Sequence, residues 1–326
     1  MIGDGITTIG TWSFAAMDNL VTVEGCKNVT TINYSAFRDS GKLTTVPELK
    51  NVTTIANYVF CDAVNLTAIK GLDQVEVLED SVFRDCKKLA ELPAFSNVKK
   101  ISANAFSGCT ALTQLPEFAK VEKIGQSAFY KTPWLDAQAE WPVVNGILVQ
   151  YKSSETVVVI PEGIKGVAEG IFSKTTVTEL TLPSTMENIP DSIFNANKTI
   201  QKAIFSEGIK AIGSNAFYKC TALTEVQFPN SLTEIGKLAF YGCAGLTEIT
   251  IPENVLKVGS SAFYGCTALR QITLSNSLSR LENSLFSGCV SLAQITIPNS
   301  VASIEYCAFE NCTALAEIGY PAGWTT

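Results

Sequence analysis

The chain has 326 residues, 46% of them hydrophobic and 17% charged, and none of its apolar runs approaches the length of a membrane-crossing helix, so a core-forming chain without membrane insertion in this segment is expected. Histidine is absent, which excludes Ser/His/Asp and Cys/His nucleophiles, histidine acid–base chemistry and most zinc sites. A net charge of -7 and a pI near 4.9 present no positive field to a phosphate backbone, which excludes nucleic acid as a partner.

Length alone suggests two ordinary domains, but the phenylalanines impose a repeat. They fall first at Phe14, Phe37, Phe60, Phe83, Phe106 and Phe129, each 23 residues after the last. Five residues before them lie Ile9, Ile32, Ile55, Leu78, Ile101 and Ile124, and six residues after them Leu20, Leu43, Leu66, Leu89, Leu112 and Leu135. In this half a further apolar residue stands 12 past the phenylalanine, at Leu49, Leu72, Phe95 and Phe118, with Pro47, Pro93 and Pro116 close before it. A coil this short cannot bury its own apolar face, so stacked neighbours must supply the core.

The ruler breaks between Phe129 and Phe172, which are 43 residues apart, one coil of 23 with 20 more. The additional residues lie within 136–157. Asn145-Gly146 is a turn signal between apolar residues and a second turn follows at Lys152 to Glu155, so a projecting β-hairpin is expected. Trp134, Trp141 and Tyr151 cluster in or beside it. Exposed, they form a recognition surface; packed back, they cover the seam between two mismatched half-arrays.

Beyond the break the ruler resumes at Phe172, Phe194, Phe217, Phe240, Phe263, Phe286 and Phe309. The clearest unit, IGKLAFYGCAGLTEITIPENV from Ile235 to Val255, holds two local periods. Leu246, Ile249 and Ile251 alternate as a strand does, with Pro252 ending the ladder. Ala239, Phe240 and Cys243 step as one helical or 3₁₀ turn does. The expected core comprises Phe217, Cys220, Leu223, Phe240, Cys243, Leu246, Phe263, Cys266, Leu269, Phe286, Cys289 and Leu292. Between the buried strand positions lie Glu225 and Gln227, Glu248 and Thr250, Gln271 and Thr273, Gln294 and Thr296. This polar stripe either hydrogen-bonds a protein or glycan or simply suits an exposed strand. The chain thus reads as an N-terminal repeat half (1–135), an inserted hairpin (136–157) and a C-terminal repeat half (158–326).

Cys86, Cys109, Cys220, Cys243, Cys266, Cys289 and Cys312 all stand three residues past a repeat phenylalanine. Side chains so placed form an inward ladder of small hydrophobes, parallel to one another and poorly set for disulfides. No metal or cofactor is expected, because clustered C-x-x-C or histidine ligands are missing. Cys26, Cys61 and Cys307 lie off the slot and are candidates for exposure. Tyr218, Tyr241 and Tyr264 follow phenylalanine in three consecutive coils, as a contact stripe or as partly packed rings. Asp39, Asp62 and Asp85 also stack, and the adjacent Arg38 and Arg84 favour a mixed-charge edge over a cation site.

The pattern A-F-x-x-C-x-x-L-x-x-I-x-I-P, written at Ala239, Phe240, Cys243, Leu246, Ile249, Ile251 and Pro252 and again from Ala216 to Pro229, resembles the BspA-type leucine-rich repeats of bacterial surface proteins. The resemblance covers the chain apart from the insertion. It implies an α/β right-handed leucine-rich repeat solenoid, here of about thirteen 23-residue coils with a parallel sheet and one inserted hairpin, and an extracellular or cell-surface location. It also implies a non-enzymatic, adhesin-like role in binding a host or neighbouring-cell protein or a glycan. The signature consists of core residues, so it assigns no catalytic or ligand residue. A structural spacer displaying another domain is the alternative. A carbohydrate-binding role or a carboxylate-only glycosidase is a further alternative; the glycosidase needs a carboxylate pair, and none stands out from the ladders. The first and last residues resemble the middle of a coil without a polar cap or an export leader, so a longer, exported product is expected.

Overall fold

The computed structural model describes residues 2–319, so the final residues in which a C-terminal cap was sought lie partly outside it. The chain divides into two compact units, Met1–Lys152 and Ser153–Thr326. Both are parallel β-solenoids built on the 23-residue ruler.

Each coil opens with a two-residue strand whose second residue is the apolar position five before phenylalanine. In the first unit these are Thr8–Ile9, Thr31–Ile32, Thr54–Ile55, Val77–Leu78, Lys100–Ile101 and Lys123–Ile124. They pair in parallel with like beside like, Ile9 with Ile32 with Ile55 and Leu78 with Ile101 with Ile124. The second unit repeats the arrangement, for instance at Asn188–Ile189, Ala211–Ile212, Glu234–Ile235 and Lys257–Val258. Alternation puts one residue of each pair outward and the isoleucine into the core.

The phenylalanine segment follows, and it is not helical. The residues two before and two after most repeat phenylalanines have positive φ, as Ser35 (54°) and Asp39 (58°) do around Phe37. A left-handed residue at every fourth position breaks a helix and produces consecutive β-turns. Ala36, Arg38 and Ser40 N–H groups close these turns onto the carbonyls of Asn33, Ser35 and Phe37. The intervening amides of Ser35, Phe37 and Asp39 donate instead to Asn57, Val59 and Cys61 of the next coil. Every amide of the segment therefore has a partner, half within its coil and half across. Among the described residues the one α-helix is Pro133–Asp136, capped by Thr132 Oγ1, which accepts from Leu135 N–H.

The phenylalanine rings stack from coil to coil. Consecutive centroids are 5.2–5.7 Å apart in the first unit and 5.1–5.9 Å in the second, with nearly parallel planes. Offset stacking favours this spacing. All twelve expected core residues, from Phe217 to Leu292, are wholly buried.

The halves differ in their second strand, as their prolines foretell. In the second unit Glu179–Leu182, Lys202–Phe205 and Glu225–Gln227 form a continuous parallel ladder. Glu248–Thr250 pairs with Gln271–Thr273, and Gln294–Thr296 with Glu317–Gly319. In the first unit the same region keeps only isolated bridges, such as Thr22 with Thr45 and Ala68 with Glu91. Pro47, Pro93 and Pro116 supply no N–H to a ladder there. The insertion carries a short antiparallel hairpin, Val143–Val144 with Ile147–Leu148, turned by Asn145 and Gly146, both at positive φ.

Two of the off-slot cysteines depart from expectation, since Cys26 and Cys61 are buried and Cys307 alone is half-exposed. Cys26 stands 12 past Phe14, the core slot that Leu49 and Leu72 fill in later coils. Cys61 is a short side chain whose counterparts in the flanking coils are the long Arg38 and Arg84.

Candidate functional site

The cysteine slot is a hydrogen-bonding position. The thiols of Cys220, Cys243, Cys266 and Cys289 donate to the carbonyls of Phe194, Phe217, Phe240 and Phe263 at 3.1–3.3 Å, each reaching back 26 residues into the preceding coil. Cys86, Cys109 and Cys312 do the same. Two other residues in the slot keep the bond: Ser40 Oγ reaches Phe14 O at 2.7 Å, and Asn197 Nδ2 reaches Phe172 O at 2.8 Å, whereas Thr132 and Thr175 bond to the phenylalanine of their own coil. Burial pushes the thiols of Cys220 and Cys266 up to about 12 and raises Cys243 well above its ordinary value. Such thiols stay protonated and are poor nucleophiles and metal ligands. These residues hold coils together and carry no chemistry.

The polar stripe lies in the second unit on the long strands. Glu225, Gln227, Glu248, Thr250, Gln271, Thr273, Gln294 and Thr296 are all exposed, because each alternates with a more buried Val226, Ile249, Ile272 or Ile295. Register places Glu248 beside Gln271 and Thr250 beside Thr273, and Gln294 beside Glu317. Gln271, Thr273, Gln294 and Thr296 border a shallow hollow of about 450 Å³ that Glu253, Asn276, Pro298 and Glu317 complete. The latter four are absent from the expected set. The ruler could have found Glu317, one step beyond Gln294, and Asn276, one step beyond Glu253. Within the stripe, Gln227 Nε2 donates to Glu225 Oε1 at 2.6 Å, and Lys202 pairs with the same carboxylate at 3.0 Å. These donors hold the Glu225 carboxyl below its ordinary value. Glu248, Gln271, Thr273, Gln294 and Thr296 make no side-chain hydrogen bond or ion pair among the described residues.

The three insertion aromatics do not form one exposed face. Tyr151 is buried, and Trp141 is half-buried with its ring 6.1 Å from that of Tyr151. Trp134 is half-buried, packs 5.2 Å from Phe129, and borders a hollow of about 350 Å³ with Pro116, Phe118, Val143 and Asn145. The Asn145 amide closes the rim by donating to the Ala119 and Val121 carbonyls. Tyr218, Tyr241 and Tyr264 form a half-buried stack with centroids 4.9 and 4.7 Å apart. Arg84 bridges Asp62 and Asp85 at 3.4 Å each, and Arg38 pairs with Asp39 at 3.3 Å, so the aspartate ladder is a mixed-charge edge.

A family model described as BspA type Leucine rich repeat region (6 copies) matches residues 1–113, 42–138, 149–266 and 233–326. No curated protein matches the chain. Among solved structures, a leucine-rich repeat protein from Eubacterium ventriosum is 22% identical over 99% of this chain and 84% of its own, with a TM-score of 0.55. The leucine-rich repeat protein of T. pallidum is 29% identical, covering 52% of this chain and 82% of its own, with a TM-score of 0.49. A leucine-rich cell surface protein from Faecalibacterium prausnitzii is 26% identical over 98% and 78%, with a TM-score of 0.46. The first of these likenesses shows the fold.

Proposed function

The chain belongs to the BspA-type leucine-rich repeat family, and from that premise we propose that it is a non-enzymatic recognition protein, secreted or held at the cell surface, that binds a protein of a host or neighbouring cell through the open sheet of the Ser153–Thr326 unit. The observation that carries this reading is the stripe itself. In-register rows of amide, hydroxyl and carboxylate side chains border a hollow of about 450 Å³, and most of their hydrogen-bonding groups have no partner among the described residues. A rigid sheet that presents donors and acceptors at a fixed spacing can pair with a partner's backbone without first ordering itself, which lowers the entropic cost of association. Location at a surface is inferred from the family; no described helix is long and apolar enough to cross a membrane.

The test is a binding screen of the purified chain against extracellular matrix and cell-surface proteins, repeated with a Gln271→Arg, Gln294→Arg double variant. A partner whose affinity falls by about tenfold or more in that variant supports the reading. Failure to capture any partner at micromolar concentration, or a partner that binds wild type and variant alike, removes it.

A further inference from the structure

A second cluster lies in the Met1–Lys152 unit and includes Arg38 of the mixed-charge edge. The Arg38 guanidinium sits 5.5 Å over the Trp12 ring and 5.7 Å over the Tyr58 ring. Tyr34 is 5.8 Å from Trp12 and 5.5 Å from Tyr58, tilted about 60° to each. Four side chains from three successive coils thus close a ring of contacts. Trp12 and Tyr34 nevertheless remain 48% and 40% exposed. Arg38 Nε lies 3.3 Å from the Asp39 carboxylate in an ion pair without a hydrogen bond, and its terminal nitrogens make no hydrogen bond to any described residue.

The backbone supplies an independent reason to notice these aromatics. Trp12 and Tyr58 occupy the slot two before phenylalanine at φ 58° and 62°, a conformation that bulky side chains seldom adopt. Most other coils place Ser or Asn there, as at Ser35, Ser81, Asn104 and Asn215, although Leu238 holds the same slot at φ 58°.

We propose that this cluster binds a neutral sugar residue of a glycan. The apolar C–H face of a pyranose lies against the exposed Trp12 and Tyr34 rings, and its hydroxyls bridge Arg38 and Asp39. The charges decide between ligand classes. Arg38 and Asp39 cancel, so an anionic sugar meets the aspartate and a cationic group meets the arginine. A hydroxyl accepts from the guanidinium and donates to the carboxylate, and vicinal hydroxyls satisfy both at once. The guanidinium carbon lies over both the Trp12 and the Tyr58 ring, and the Arg38 side chain is 31% exposed. The site lies on a different unit from the sheet stripe and stands or falls independently of it.

The experiment follows the tryptophan indole N–H resonances of the ¹⁵N-labelled chain during titration with the methyl glycosides of glucose, galactose and mannose. The Trp12 signal is identified by its loss in Trp12→Phe. It is expected to shift saturably at millimolar concentration with at least one hexoside. Arg38→Gln and Asp39→Asn should each weaken that binding by about tenfold or more, as loss of a charged hydrogen-bond partner does. Gln271→Arg should leave it unchanged. Amide spectra of the variants confirm that the coils remain folded, and Asp39→Asn, which alters a half-exposed side chain, serves if Arg38→Gln disturbs them. No Trp12 shift with any hexoside, equal binding by both charge variants, or a Trp12 shift with an aromatic dipeptide but not with the sugars overturns the assignment; the last outcome gives the cluster to a protein partner.

Discussion

Replacing Cys243 by alanine and by serine separates two roles for the slot three past phenylalanine. Alanine deletes one buried atom of roughly methylene size, about 0.8 kcal/mol of transfer free energy, and a weak S–H···O=C bond, about 0.5 kcal/mol. The Phe217 carbonyl keeps its bond from the Cys220 amide at 3.1 Å, so no orphaned-acceptor penalty is added. The expected loss is about 1–1.5 kcal/mol. Serine forfeits part of the transfer contribution but retains a donor, and Ser40 demonstrates the geometry at 2.7 Å. Cys243→Ser should therefore be more stable than Cys243→Ala by about 0.5–1 kcal/mol. A slot that selected only small apolar groups would reverse that order, because an unsatisfied buried hydroxyl costs about 1–3 kcal/mol. Urea unfolding monitored by far-ultraviolet circular dichroism measures both variants, with the Cys266 pair as replicate. Whole transitions should be compared, since repeat arrays can depart from two-state behaviour. A serine variant less stable than the alanine variant would refute the donor role.

Other consequences are equally direct. Lys219 holds φ 55° in the turn where the next three coils carry Gly242, Gly265 and Gly288; Lys219→Gly should raise the urea midpoint by an amount equivalent to about 0.5–1 kcal/mol, the relief of left-handed strain less the added entropy of the unfolded chain. An unchanged or lower midpoint would show that the turn is not strained. The Glu207 carboxylate accepts backbone N–H groups from Asn230 and Ser231, and Glu162 accepts from Ser184, which lowers both from the ordinary value of 4.5. Folding stability from these groups is complete above that value and is lost as pH falls through the lowered one, so Glu207→Gln should flatten the acid limb of the stability profile. Native thiol titration at pH 8 should detect Cys307 and Cys312 at most, with the remaining cysteines reacting only after urea; fast native reaction of Cys243 or Cys266 would contradict their burial and raised thiol pKa.

Spacing made the core legible because every coil buries the same positions. A phenylalanine 23 residues from its neighbours has no ordinary domain to belong to, and its stack followed. The turn conformation was harder to read, since its left-handed positions are filled by Trp12, Asp39, Lys131 and Leu238 as well as glycine, and the local signal dissolves in that mixture. Cysteine as a hydrogen-bond donor was hidden by distance, because its acceptor is 26 residues away on the adjacent coil. Cys26 was readable and was missed: its offset from Phe14 is that of Leu49 from Phe37. The stripe could be read because strand alternation separates buried from exposed residues. The hollow beside it could not, because Glu253 and Pro298 enter from turns rather than strands. The gathering of Trp12, Tyr34 and Tyr58 around Arg38 is not legible in the sequence, because Tyr34 and Arg38 stand at other offsets along the ruler than Trp12 and Tyr58.

The two kinds of cross-coil hydrogen bond run in opposite senses. Around the phenylalanine, Ser35, Phe37 and Asp39 amides point forward to the following coil, whereas Asn33, at the end of its strand, points back to Ile9. Each coil is thus both giver and receiver along the array, and what it receives at one turn it passes on at the same place one turn later. A window of 23 residues, wherever it starts, contains one complete set of these obligations. A gene that duplicates or loses such a window within the regular array would return every donor to an acceptor without waiting for compensating mutations. Reach can therefore be inherited in whole coils, and the array has a ready way to lengthen or shorten.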